Sequence, residues 1–232
     1  RHRLSEATRP VNTGTKHWRD VLAQAERAVI LDFDGEERWG LTGQLCDVGH
    51  ADLITEAARL LTSDAWPLRD LGTSLLQQLI PGTTETSVRQ NLDDPRIPVL
   101  LAAALDDPSA QVVMTAIYRT GHLNLVAKLL GPRFHKVSDP NAGIRQAMAS
   151  VLDGLYPDPR VLPTLFVLME DDDDEVRNWA TFCLGAQLDG VDTPEVRDAL
   201  AARLADPEPE VVFEAASGLQ ARGDPRGNQV PE

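Results

Sequence analysis

The stretch EDDDDEVRNWATFCL, Glu170–Leu184, decides the fold. Six acidic residues in a row cannot be packed together, so they form a solvated turn; the nine residues that follow, VRNWATFCL from Val176, carry apolar side chains at helical spacing. The same nine-residue pattern recurs as ERWGLTGQL from Glu37, LRDLGTSLL from Leu68, VVMTAIYRT from Val112, IRQAMASVL from Ile144 and VVFEAASGL from Val211. The first residues of these segments lie 31, 44, 32, 32 and 35 positions apart, a period of about 32 with one insertion between the second and third. A polar or acidic turn precedes each: LDFDGE, TSDAWP, DDPSAQ, SDPNAG, EDDDDE and ADPEPE.

Before the turns lie amphipathic runs such as ADLITEAARLL from Ala51, RIPVLLAAAL from Arg96, VLPTLFVLM from Val161 and PEVRDALAARL from Pro194, in which alanine and leucine outnumber β-branched residues. Each unit therefore reads as helix, short turn, helix. At Asp107-Pro108, Asp139-Pro140 and Asp206-Pro207 the aspartate can cap free amides and the proline needs no amide hydrogen in the first turn. Glycine after the second helix, as at Gly49, Gly121 and Gly223, suits its termination. One helical pair cannot bury its apolar face alone, so the pairs must stack. The expectation is an all-α protein, an α-solenoid of about six antiparallel helical pairs. It occupies a single domain over residues 17–226, with a flexible segment at 1–16, an insertion loop at about 80–95 and a flexible tail at 227–232.

Composition bounds the function. At 232 residues and 42% hydrophobic, the chain can bury a substantial core. A formal net charge of -14 lacks the basic footprint of a nucleic-acid-binding protein and would be repelled by anionic membrane, so neither partner is expected. Only Cys46 and Cys183 are present, far apart and outside any metal-ligand spacing, which points to unbridged thiols in a reducing compartment. No apolar run approaches the roughly 20 residues of a membrane span, and the N-terminus lacks the apolar centre of a signal peptide. The chain is read as cytoplasmic.

One segment invites a different interpretation. VILDFDGEE, Val29–Glu37, resembles the nucleophile strand of haloacid-dehalogenase-type phosphatases, with Asp32 as the attacking carboxylate. That site requires a parallel sheet, a threonine-like residue after Asp-x-Asp-Gly, and later lysine and paired-aspartate motifs. Here Glu36 follows Gly35, strands and helices do not alternate, and LDFDGE falls at a repeat turn. The acidic run 170–175 lacks the alternating ligands and bend glycine of a calcium loop. The histidines His2, His17, His50, His122 and His135 show no metal-ligand spacing. No nucleophile elbow, phosphate loop or dinucleotide fingerprint occurs. No catalytic residue, metal or cofactor is therefore assigned, and the chain is read as non-enzymatic.

The pattern apolar-Arg-x-x-small-x-x-x-Leu after an Asp-rich turn, clearest in DDDDEVRNWATFCLGAQL and DPNAGIRQAMASVLDGL, resembles HEAT repeats, especially the short bacterial kind similar to those of phycobilin lyases. The resemblance implies a ladder of turn aspartates and second-helix arginines between neighbouring repeats. Six-residue spacing is met by Asp32 with Arg38, Asp139 with Arg145 and Asp171 with Arg177; Asp64 and Arg69 fall one residue short. Val113 and Val212 replace the arginine in the third and sixth repeats, where the ladder should break. Two rival functions follow from similar folds. A helical-repeat alkylpurine DNA glycosylase would need a basic face for phosphate, which this composition does not provide. A lyase or chaperone subunit like the phycobilin lyases would need a pigment pocket.

The remaining signal is what the second helices leave uncovered. Counting from the first aligned residue as zero, positions 2 and 6 turn about 200° and 240° away, and stacked helical pairs usually place this side on a concave surface. Position 2 holds Trp39, Asp70, Met114, Gln146, Asn178 and Phe213; position 6 includes Tyr118 and Phe182. Large apolar side chains at such positions are candidate anchors for a protein or peptide partner, and the acidic composition favours a basic one.

Overall fold

A computed structural model describes residues 14–45, 50–76 and 94–228. Residues 80–93 of the expected insertion loop lie outside them, as do residues 1–13 of the expected N-terminal segment, Cys46 and the segment 229–232. The structure is helical and contains no strand among the described residues. It divides into two compact units, Arg1–Asn91 and Leu92–Glu232.

In the first unit, α1 (Gly14–Leu31) and α2 (Glu36–Gly43) form one pair, α3 (His50–Leu61) and α4 (Trp66–Leu75) the next. The buried residues of α1, namely Trp18, Val21, Leu22, Ala25, Ala28 and Val29, recur at three- and four-residue steps, so one stripe of the helix faces the core. α1 packs on α2 and α4, and α3 packs on α4. Gly14–Lys16, expected within a flexible segment, belong to α1. Asp32 lies in the turn between α1 and α2: its N–H donates to the Ala28 carbonyl at 2.8 Å and its own carbonyl accepts from Gly35 at 3.3 Å. A nucleophile strand is excluded there.

The second unit contains α5 (Arg96–Leu105), α6 (Ala110–His122), α7 (Val126–Leu129), a 3-10 segment (Gly131–Ser138), α8 (Ala142–Ala149), α9 (Val161–Leu168), α10 (Asp174–Phe182) continued by a π-turn (Cys183–Gln187), α11 (Pro194–Ala202) and α12 (Pro209–Ala221). The second helices α6, α8, α10 and α12 pack each on the next. Their starts are fixed locally. The Asn141 side chain accepts from the Ile144 N–H and the Asp173 side chain from the Val176 N–H, each satisfying a first-turn amide. α12 ends at Gly223, whose φ of +66° allows Gly223 and Asp224 to donate at 2.9 Å to the Gln220 and Leu219 carbonyls.

A second start signal sits before the first helices. In Asp94-Pro95-Arg96 and Asp158-Pro159-Arg160, the aspartate accepts from both the backbone N–H and the guanidinium of the arginine two residues on, at 2.7 to 3.2 Å and 2.6 to 3.3 Å. These motifs open α5 and α9. Asp224-Pro225-Arg226 repeats the geometry and opens a 3-10 turn, Pro225–Asn228, in which Gly227 is buried. Residues 227 and 228, expected in a flexible tail, are thus part of the fold.

Candidate protein-binding face

The framework comes first, because it decides which side chains are free to bind. In the second unit each ladder arginine bridges two turns. Arg145 donates from Nη1 to the Asp139 carbonyl, six residues back, at 3.0 Å, and forks onto the Asp171 carboxylate of the next repeat at 2.8 and 2.7 Å. Arg177 repeats this, with the Asp171 carbonyl at 2.9 Å and the Asp206 carboxylate at 3.0 Å twice. The same aspartates also tie their own turns. Asp139, Asp171 and Asp206 accept from the N–H two residues on, at 2.9, 3.0 and 3.1 Å, which is an Asx-turn. One residue type thus builds the turn, offers its carbonyl to its own arginine and its carboxylate to the arginine before. The six-residue spacing reflects the carbonyl contact; the carboxylate partner lies one repeat further on.

Electrostatics follow the geometry. The Arg145 guanidinium holds the Asp171 carboxyl below its ordinary range, and Arg145 itself is raised by the bond to Asp171. For Asp206 burial pushes upward most strongly, but the bonds from Arg177 and the Glu208 N–H outweigh it and the carboxyl is depressed. In the third repeat Val113 is buried where the arginine would stand; Asp107 makes the Asx-turn there, accepting from the Ser109 N–H at 2.8 Å, and the neighbouring Asp106 accepts from Arg133, of the 3-10 segment in the following repeat, with Nε to Oδ1 at 2.8 Å.

In the first unit Arg69 keeps the carbonyl contacts of this scheme, five and six residues back, and Arg38 departs from it. Arg38 donates to the Phe33 carbonyl, five residues back, at 3.1 Å, stacks 3.9 Å from the Phe33 ring centre, and meets Asp70 at 3.3 Å. Arg69 donates to the Ser63 and Asp64 carbonyls at 3.0 and 2.9 Å. Asp70, expected on an open surface, is only 1% exposed. The correction has a packing cause: α4 is covered by α1 as well as α3, and Arg38 reaches Asp70 from α2.

The other position-2 and position-6 residues divide into two groups. Met114 is half-buried with its sulfur against Gly143, where a Cβ would stand 2.7 Å from Sδ, so it fills the space between α6 and α8. Asn178, also half-buried, reaches Glu210 of the next repeat at 3.5 Å. Gln146 is half-buried on α8. Tyr118 and Phe182 remain partly accessible, and Phe213 is 66% exposed. Trp39 lies in α2, with its side chain outside the described residues. The sequence reading missed Trp179. It sits at position 3, between inward and outward sides, and packs edge-on against Phe182 with centroids 5.7 Å apart and an interplanar angle of 86°. Burial raises the Tyr118 hydroxyl pKa, with the nearby Glu175 carboxylate adding to it, and burial likewise raises Glu214 beside Glu210. Aromatic and acidic side chains therefore share this side of the second helices.

Two cavities open on it. One of about 360 Å3 is lined by Tyr118, His122, Asp153, Trp179 and Gln187 among others. Another of about 600 Å3 lies along α12, against Val212, Phe213, Ala216 and Gln220. Among the described residues no cluster of histidine, cysteine or carboxylate side chains could hold a metal, and no helix is long and apolar enough to cross a membrane. Cys183 is a free, buried thiol whose pKa burial pushes up to about 12, so it is not a nucleophile at neutral pH.

The sequence model of HEAT repeats matches residues 130–220. Over this segment the chain is similar to HEAT repeats. Protein YibA of Escherichia coli is 28% identical over 183 residues, which are 77% of this chain and 62% of that protein. The chain thus matches less than two thirds of its curated relative's length. The X-ray structure of Escherichia coli YibA superposes with a TM-score of 0.66 at 23% identity, over 97% of this chain and 81% of that one. A designed armadillo repeat protein in complex with the peptide (KR)4 superposes with a TM-score of 0.57 at 15% identity, over 87% of this chain and 98% of that one. At these identities the likeness is one of fold: HEAT and armadillo arrays share the helical-repeat solenoid.

Proposed function

We propose that the protein is a cytoplasmic, non-catalytic HEAT-repeat scaffold that binds a basic peptide or protein segment along the exposed side of its second helices. The observation that carries this reading is the series Tyr118, Phe182 and Phe213 on α6, α10 and α12. These large side chains stay accessible while the helices that bear them are packed on their neighbours, with the Arg145–Asp171 and Arg177–Asp206 bridges tying the later turns, so little ordering is left to be done on binding. Glu175, Glu210 and Glu214 stand among them and match a cationic partner. The arginines of this unit support a protein over a nucleic acid, since Arg133, Arg145, Arg177 and Arg226 are already held by aspartates. A structural neighbour solved with a (KR)4 peptide adds a precedent on a similar fold.

The test is fluorescence anisotropy with a labelled (KR)4 peptide, and with (DE)4 and (GS)4 as controls. The proposal expects saturable binding of (KR)4 alone, weakening as salt rises. Equal affinity for all three, or none for (KR)4, would reject it.

A further inference from the structure

The 360 Å3 cavity on the second unit differs in chemistry from the rest of the aromatic stripe. Two aromatic side chains, Tyr118 of α6 and Trp179 of α10, line it together with one carboxylate, Asp153, in the 3-10 turn Leu152–Leu155 after α8. Trp179 is held in place by its edge contact with Phe182. Gln187 also lines the cavity; its Nε2 donates to the Ser150 carbonyl at 3.4 Å, and its amide oxygen is a further acceptor. Asp153 forms no ion pair with any described residue, in contrast to Asp171 and Asp206, whose carboxylates the ladder occupies. Of the other titratable groups in the wall, the Tyr118 hydroxyl has its pKa raised by burial and His122 has its pKa lowered by burial and then by Arg119, so both stand neutral at pH 7. The wall therefore offers two aromatic rings and acceptors around one carboxylate, a set that suits a planar cation.

Resting on the scaffold reading for its biological setting, we infer that this cavity is a pocket for a single arginine side chain of the bound partner, with the guanidinium against Tyr118 and Trp179 and its nitrogen fork directed to Asp153. Arginine suits the site better than lysine for two reasons. A guanidinium stacks on aromatic faces, and its paired N–H groups match both oxygens of a carboxylate, whereas an ammonium does neither. Phe213, on α12, lines a separate cavity and belongs to the general peptide contact.

The experiment uses the full chain and small probes, so that it reads the pocket whether or not a longer peptide binds. N-acetyl-arginine amide, the corresponding lysine amide and the isosteric, uncharged citrulline amide are titrated while the indole Nε–H resonances are followed by NMR, Trp179 being assigned from the spectrum of Trp179→Phe. The arginine probe should shift the Trp179 resonance saturably in the millimolar range, the lysine probe more weakly and the citrulline probe not at all. Asp153→Asn, a near-isosteric change at a partly exposed site, should weaken the arginine response by about three- to tenfold. Equal shifts from arginine and citrulline, an unmoved Trp179, or an Asp153→Asn variant that responds like wild type would each overturn the pocket. Any of these combined with selective binding of (KR)4 would reject the pocket and leave the scaffold standing.

Discussion

Arg38 and Arg177 hold the same place in their repeats and end in opposite electrostatic situations. Arg177 lies at the rim of the second unit, where the bond to Asp206 dominates and its pKa is raised. Arg38 is 5% exposed, and there burial outweighs Asp70, so its pKa is lowered despite a carboxylate at 3.3 Å. The sequence signature is the same; the surrounding surface is not. At the rim, an arginine exchanges its water for a forked carboxylate and two backbone carbonyls, which replace the lost hydration donor for donor, and the arrangement can be repeated turn after turn. In the interior, the same pair must offset the desolvation of both charges, which makes it costly to break rather than strongly stabilising in itself.

That contrast predicts a ranking of mutations. Asp70→Ala should have the largest effect, a loss of about 3–5 kcal/mol in chemical denaturation, because it removes the carboxylate facing a buried guanidinium. A loss below about 1 kcal/mol would show that the pair is more hydrated than its burial implies. Arg222→Met should follow at about 3 kcal/mol. The buried Arg222 guanidinium donates at 2.8 Å to the carbonyls of Leu184, Gly185, Leu188 and Gly218, closing the end of the π-turn, and methionine can replace only its volume.

Arg145→Ala should cost less, about 1–2 kcal/mol at pH 7. Its pH dependence gives the sharper test. Asp171 has a depressed pKa, so its contribution is complete above the unfolded carboxylate range, near pH 4, and is lost as pH falls through the lower folded value. The stabilities of wild type and Arg145→Ala should therefore converge below about pH 4. A constant difference down to pH 2 would mean that Arg145 acts through the Asp139 carbonyl and its packing alone. Smallest of all, Phe213→Ala should change stability by less than about 0.5 kcal/mol, since the ring is largely in solvent.

The repeat was legible because its two signals, helical spacing and a polar turn about every 32 residues, reinforce each other at six places. The second helices α2, α4, α6, α8, α10 and α12 begin within a few residues of the aligned segments. The ladder arginines were legible as a pattern but not as a pairing, because sequence spacing shows the carbonyl six residues away and conceals the carboxylate one repeat on. Asp70 was misjudged because rotation about one helix axis takes no account of a second helix packing across it. Trp179 escaped because position 3 lies on the boundary between buried and open sides, where packing of neighbouring side chains decides exposure. Arg222 and the Asp-Pro-Arg starts fall outside the aligned window, although the latter stand in the sequence as three copies of one tripeptide.

The central claim is that the aromatics of the second helices serve binding while the aspartates and arginines serve the fold. Measuring both properties on Tyr118→Ala and Phe182→Ala tests it most directly: affinity for the labelled (KR)4 peptide at low and high salt, and stability by chemical denaturation. The account predicts binding weakened by roughly 1–4 kcal/mol, with stability lowered by less than the Arg145→Ala change lowers it. Alanine variants that lose stability heavily yet bind (KR)4 as wild type does whenever folded would contradict it, and would return these aromatics to the packing between repeats.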